Sequence, residues 1–378
     1  MEKYKEINMA VKVRIYPSKE QKIVFDENIN HARFIFNKVK ETCEYHYKII
    51  KQQGYQPRNL ITNKFCNTIL TQLKQSNDFL YNSDSTSLQA AYQNYIQAMK
   101  NFFNHIAKYP RFKSKRNPIQ SFKVKNSMNR LRIQNNQIRI GKHGFVKARG
   151  LRNITGKILS IVVSKVANKW FVSITYDKIP VKPLPKTNKS VGIDVGIRDL
   201  AILSTGEKIT KLNSTKQESK IVKLQKSLSR KIKGSKNYLK NKDKLANAHL
   251  KLRNLRSDYI HKLTWKLVNE FDTIVVEDLK VSNLLKNHRL AKSISHASWF
   301  EIKRQLEYKS SWYDKELIIV NPHYTSKECS ECGFINKDLS LSDRSWVCPS
   351  CNTIHDRDVN AAINILNRRD GGDSLVIN

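Results

Sequence analysis

Three short apolar runs in the second half of this 378-residue chain limit its fold more than any other feature. SVGID (Ser190–Asp194), DTIVVED (Asp272–Asp278) and ELIIVNP (Glu316–Pro322) are strand-length, rich in β-branched residues and apolar at consecutive positions. Such runs are strands covered on both faces, as in a sheet with helices packed against it. The first leads into RDLAILSTGEKI, more strand with a Thr-Gly turn, and then into a long basic helical region. There Leu245, Ala248, Leu252, Leu255, Tyr259, Leu263 and Leu267 recur at steps of three and four, the apolar stripe of a helix. SWFEIKRQLEYKSSWY supplies a helix between the second and third runs, and HDRDVNAAINILNR (His355–Arg368) a final one. Upstream, PVKPLPKTNKS (Pro180–Ser190) is Pro-rich, polar and without pattern, and marks the main domain boundary.

Strand, strand, strand, helix, strand, helix, strand, helix is the order of an RNase H-like fold. In it Asp194 of the first strand, Glu277 at the end of the next major strand and Asp358 in the first turn of the last helix converge. Like charges held close repel, so ionising all three requires cations. Mg²⁺ suits the task, because it takes hard oxygen ligands and keeps waters for a substrate phosphate. Asp194, Glu277 and Asp358 are therefore the expected catalytic and Mg²⁺-binding residues. Two ions, with Mn²⁺ as a substitute, would support phosphodiester hydrolysis leaving 5′-phosphate and 3′-hydroxyl ends. Asp356 lies about 200° from Asp358 around an ideal helix and reads as its N-cap. Ala361, Ala362 and Ile365 share the face of Asp358 and let that helix pack closely. Asp199 and Asp278 are left to capping or ion-pair roles.

Cys329 and Cys332 in KECSECG, with Cys348 and Cys351 in WVCPSC, form two Cys-x-x-Cys pairs fifteen residues apart. Four thiolates suit a tetrahedral structural Zn²⁺ and leave no open coordination position. Cys43 and Cys66 stand alone, and the pattern indicates metal binding in a reducing compartment. Arg344, in LSDRSWVC, is a candidate phosphate clamp, set against the plainer reading of a surface arginine.

The first half alternates strand and helix textures. MAVKVRIYP alternates apolar and polar, Ser18 and Gln21 form a capping box, and helical spacing continues to about residue 108. Short β segments follow from YPRFKSKR to KWFVSITY, and the first strand is expected to join them. Charge is the other signal: 69 Lys+Arg against 32 Asp+Glu give a formal net charge of +37. No acid occurs between Asp84 and Asp177, a surface of one sign that fits a phosphate backbone. Within YPRFKSKR, Tyr109, Arg111, Phe112, Lys113, Lys115 and Arg116 combine cations with aromatic faces. Arg230, Lys231, Lys233 and Lys236, in SRKIKGSKNYLK, are further candidates for phosphate contact. No run approaches a membrane span and the N-terminus lacks a signal-peptide core, so a cytoplasmic, nucleoid-associated protein is expected.

Together these segments resemble TnpB, the transposon-encoded RNA-guided nuclease family related to compact type V CRISPR effectors. The likeness runs through VRIYPSKEQ, ARFIFNKV, YPRFKSKR, GIDVGIRDLAILSTG, LQKSLSRKIKGSKNYLK, IVVEDLKVSNLLKN, HYTSKECSECG and HDRDVNAAINIL. The resemblance implies that Asp194, Glu277 and Asp358 are the RuvC acids and that the four cysteines hold the zinc insertion. It implies a guide RNA from the transposon end, a double-stranded DNA target beside a short adjacent motif, and one protomer as sufficient. The expected layout is a β-barrel-like wedge domain at 1–34 and 109–180 with a helical recognition insertion at 35–108. A linker at 181–189 and a RuvC-like α/β domain at 190–378, with a zinc-binding insertion at 324–354, complete it. Two other readings use the same residues: a nuclease-inactive RNA-guided repressor, and an RNase H-like transposase.

Overall fold

The computed structural model describes residues 4–55, 61–117, 119–151, 154–288, 291–340, 342–371 and 375–377. Residues 1–3 of the expected β domain and 341 of the cysteine insertion lie outside them. The chain divides into two compact units, one of Glu6–Ile179 with Lys242–Asn247, the other of Met1–Lys5, Pro180–Asn241 and Ala248–Asn378.

In the first, β1 (Lys5–Tyr16) is followed by α1 (Lys19–Gln52), α2 (Asn63–Gln75) and α3 (Ser85–Phe103). Six strands follow: β2 (Gln120–Lys125), β3 (Arg132–Gln134), β4 (Gln137–Arg139), β5 (Phe145–Arg149), β6 (Lys157–Val166) and β7 (Lys169–Val181). The sheet order is β2-β6-β7-β1-β5-β4-β3, so the first strand does join the later ones. Among the described residues its two edges, β2 and β3, are not paired with each other. Ser18 caps α1 and exchanges both capping-box hydrogen bonds with Gln21. That start carries α1 unbroken to Gln52, so the boundary expected at residue 34 falls inside one helix.

The second unit opens with β8 (Ser190–Asp194), β9 (Asp199–Leu203) and β10 (Lys208–Thr210), then α4 (Thr215–Ser229) and α5 (Lys236–Glu270). It continues with β11 (Thr273–Glu277), α6 (Val281–Leu284), α7 (Ala291–Ala297), α8 (Trp299–Tyr313) and β12 (Glu316–Val320). The hairpin β13 (Ser345–Val347) and β14 (Ile354–Asp356) precedes α9 (Arg357–Asn367), and β15 (Leu375–Ile377) ends the chain. The sheet order is β10-β9-β8-β11-β12-β15, with β8, β11 and β12 parallel. β15 is an edge strand antiparallel to β12 that the sequence pattern did not reveal.

Alternation sorts the strands' side chains onto two covered faces. Val191, Ile193, Ile274, Val276, Leu317 and Ile319 pack with α5 and α8, whereas Val275, Ile318 and Val320 pack with Ile365 of α9. The Pro-rich segment is not a free tether. The Asp272 carboxylate accepts the amides of Thr187 (2.8 Å) and Asn188 (2.6 Å) and the Lys315 ammonium (2.5 Å). Lys315, its side chain fully buried, also donates to the Pro185 carbonyl. Burial acts to raise the Asp272 pKa, but Lys315 and the two amides outweigh it and hold the carboxyl at about 2. Because the folded pKa is depressed, this stabilisation is complete above the ordinary carboxylate range and is lost as pH falls toward 2. Lys315→Met, which leaves the half-buried Asp272 carboxylate with only its two amide donors, is expected to cost about 1–3 kcal/mol in denaturant melts at neutral pH.

Candidate active site and cysteine cluster

The site follows from one close approach. Gly192 of β8 lies directly under α9: a Cβ at that position would sit 2.1 Å from the Ala362 carbonyl oxygen and 2.7 Å from the Leu366 nitrogen. Two residues on from Gly192, on the same face of the strand, is Asp194. One turn back from Ala362, on the same face of the helix, is Asp358. Two strand residues and one helical turn both span about 6 Å, so the two carboxylates leave the contact point by similar distances. β11 runs parallel to β8 with Val276 opposite Ile193, which places Glu277 beside Asp194 at the strand ends. Gly192→Ala would force α9 off the sheet. Thermal denaturation should show a loss of about 1–3 kcal/mol, the usual cost of overpacking.

The electrostatics register this convergence. Burial, then Glu277, then Asp358 push the Asp194 carboxyl up to about 7, with Arg357 opposing. Burial also raises Glu277, offset by a hydrogen bond from the Thr325 hydroxyl (2.5 Å) and by Arg368. Asp356 is the N-cap of α9, accepting the amides of Asp358 and Val359 (3.1 Å each), and pairs with Lys208 at 2.5 Å. Arg344 reaches Asp358 at 3.3 Å with its side chain 54% exposed. Asp278 forms an ion pair with Lys303 at 2.8 Å. Carboxylate oxygens that burial and, at Asp194, neighbouring acids penalise when charged form a donor set suited to divalent cations.

The cysteines form a tighter set. The Sγ atoms of Cys329, Cys332, Cys348 and Cys351 all lie within 4.8 Å of one another, the only such ligand group among the described residues. Each pair sits on a tight turn, closed by Gly333 N–H to the Cys329 carbonyl and Asn352 N–H to the Cys348 carbonyl. Gly333 (φ +74°) and Asn352 (φ +59°) take the left-handed backbone these turns require. Among the described residues, only Leu339 and Trp346 join two of the cysteines in the core of this insertion, little apolar surface to fold on without a further staple.

Sequence reading missed the residues that tie insertion to acids. Asn364 donates to the carbonyls of Thr325 and Glu328, and Asn360 donates to that of Glu328 while accepting the Ser330 amide. Both asparagines are buried on α9. Arg368 adds bonds to the Asn321 and His323 carbonyls and an ion pair with Glu328. Two asparagines four residues apart on the apolar face of NAAIN were the available signal, since buried amides need partners.

The other expected contact residues are spread out. Tyr109 and Phe112 are exposed, but Tyr109 donates to Glu44 (2.7 Å) and the Lys40 ammonium lies 4.2 Å from the Phe112 ring centre. Lys113 exposes part of its chain while its ammonium turns inward, 4.1 Å from the Phe36 ring centre, where burial lowers its pKa. Arg111, Lys115 and Arg116 face solvent. Arg230 caps α4, Lys236 begins α5, and Lys231 and Lys233 occupy the turn between them.

A protein of Streptomyces pristinaespiralis, named as a candidate RNA-guided DNA endonuclease, is 36% identical over 369 residues, covering 96% of this chain and 89% of its own. The chain belongs to the TnpB/IS605 OrfB family. InsQ of Escherichia coli K12, a TnpB relative named in the same way, is 33% identical with 94% and 91% covered. Family models match in three places: "Probable transposase" over 171–288, "Cas12f1-like, TNB domain" over 299–365, and "Helix-turn-helix domain" over 2–51. The first spans Asp194 and Glu277, and the second spans the cysteines and Asp358. In this TnpB-family chain the third covers a strand and one long helix, β1 and α1. Among solved structures, the Cas12f1 chain of a complex with sgRNA and target DNA shares the fold, with TM-score 0.55, 16% identity, and 96% and 99% covered. No helix among the described residues is long and apolar enough to cross a membrane.

Proposed function

We propose that this chain is an RNA-guided DNA endonuclease of an insertion-sequence transposon, cutting double-stranded DNA beside a short adjacent motif with one RuvC-like site. The observation that supports the reading is the raised Asp194 carboxyl, which burial, then Glu277, then Asp358 push up to about 7. Asp194, Glu277 and Asp358 would hold Mg²⁺, two ions in all; when bound, these supply Lewis acidity and an activated water for in-line attack at phosphorus. Thr325 fixes the Glu277 carboxylate by hydrogen bonding to one oxygen. Arg344, exposed and paired with Asp358, would pair with a phosphate oxygen once that carboxylate is engaged elsewhere. The cysteine cluster would hold a structural Zn²⁺, keeping the Thr325 and Asn364 contacts in place. Arg111, Lys115 and Arg116, with the α4–α5 turn, would bind RNA and DNA backbone, one protomer sufficing.

The test starts with sequencing of RNA that co-purifies when the protein is expressed with its native flanking DNA. A discrete species from the 3′ end of the gene and beyond supports the reading and supplies a guide for Mg²⁺-dependent cleavage. Bound guide with target binding but no cutting under any divalent metal would leave a repressor. Joining of DNA ends without any guide would leave a transposase.

A further inference from the structure

A cavity of about 950 Å³ opens between α1 and α3, remote in sequence from all three acids. Its size falls at the upper end of the range for small-molecule sites, about 300–1,000 Å³. The floor is buried and apolar, formed by Cys43, Tyr95 and Met99. The walls are aromatic and open: Tyr47 is 48% exposed, Phe103 63% and Tyr109 42%, with the Phe102 and Tyr109 rings perpendicular at 5.2 Å. Exposed Lys48, Lys51 and Lys100 stand at the rim. One acid, Glu44, lines it, and its charge is already matched by an ion pair with Lys40 and the Tyr109 hydroxyl.

We infer that this cavity receives unstacked bases of a single-stranded nucleic-acid segment. Aromatic rings that stay exposed in a folded chain mark a binding surface when they gather around one opening. What they bind follows from the rim. Lysines surround the opening and the α3 wall lies in the stretch without acids, so the ligand is anionic outside and flat and apolar within. Nucleotides have that division, with a phosphate for each lysine and a π-face for each ring, and stacking tolerates any base. A duplex keeps its bases inside and cannot offer them. Lys40 and Tyr109 both donate to Oε1 of Glu44, so the carboxylate keeps acceptor capacity at its other oxygen for a base amino group.

The inference rests on the reading of the chain as a nucleic-acid-binding protein, and its test is separable from the cleavage test. Full-length protein is irradiated with a short oligouridylate carrying thiouridine and, separately, with an oligothymidylate carrying thiothymidine, and cross-linked peptides are mapped by mass spectrometry. Cross-links at Tyr47, Phe103 or Tyr109 are expected, and the arm giving the higher yield identifies RNA or DNA as the source. Phe103→Ala, at an exposed position, should weaken the cavity-specific interaction roughly 5- to 100-fold with an unchanged salt slope, and Phe103→Trp should restore it. Lys100→Ala should instead flatten the salt slope by about one phosphate contact. Cross-links confined to other parts of the chain in both arms, or a Phe103→Ala variant with wild-type yield here, would overturn the inference even if guided cleavage proceeds. Cavity cross-links in a protein that never cuts would uphold it while the nuclease reading falls.

Discussion

Asp194→Asn is expected to lose cleavage by on the order of 10³-fold, as for removal of a preorganised charge-stabilising group, while gaining stability in the metal-free state. The stability arm has a definite sign. The native carboxyl binds its proton up to about 7, and the unfolded one releases it near the ordinary aspartate value of 3.8. Between those values the native state holds more protons, so metal-free stability falls as pH rises from about 4 to 7 and then levels off. The asparagine variant does not titrate at this position. In EDTA above pH 7 it should melt higher, by roughly 2–4 kcal/mol after discounting for partial solvent access. Guide and target binding, measured by gel shift, should be unchanged. An unaltered or lower melting point in EDTA would mean that neither burial nor the neighbouring acids penalise the Asp194 charge, and the metal-site reading would lose its electrostatic support.

Cys348→Ser should have the other large effect. Structural zinc contributes about 10–16 kcal/mol to folding in small zinc peptides, far more than the few apolar residues around Trp346 supply. Metal analysis should find one zinc per parent chain and almost none in the variant. Limited proteolysis should then cut within the cysteine insertion. Cleavage activity should drop with the zinc, because the insertion carries Thr325 and receives Asn360 and Asn364 of α9. The seven-stranded unit keeps its own core and should resist proteolysis as before. A variant that loses zinc but cuts normally would separate the insertion from the nuclease site.

The parts of this architecture that were legible in the sequence are those set by local pattern. Consecutive β-branched runs located β8, β11 and β12, and the placement of Asp194, Glu277 and Asp358 on them and on the last helix followed. Asp356 as N-cap followed from helical angles. What escaped was set by tertiary partners. Lys315 is an ordinary lysine in the string, yet its side chain is fully buried because the Asp272 carboxylate and the Pro185 carbonyl meet there to accept its ammonium. β15 has three residues, too few for a period to register. Leu255 belonged to the expected stripe of α5 but is 37% exposed, whereas Leu250 and Ile260 off that list are buried. A helix of 35 residues meets different neighbours along its length, so no single stripe serves it throughout.

The contact between Gly192 and Ala362 has a consequence for how such proteins are read across genomes. The approach of the strand that carries Asp194 to the helix that carries Asp358 depends on the absence of a side chain at Gly192, which faces the helix backbone at Ala362 and Leu366. A descendant that keeps every carboxylate and every cysteine is still expected to have its helix displaced from the strand by one methyl group at position 192. An intact set of acids is thus a poor census of working enzymes; the glycine beneath the helix belongs in the count.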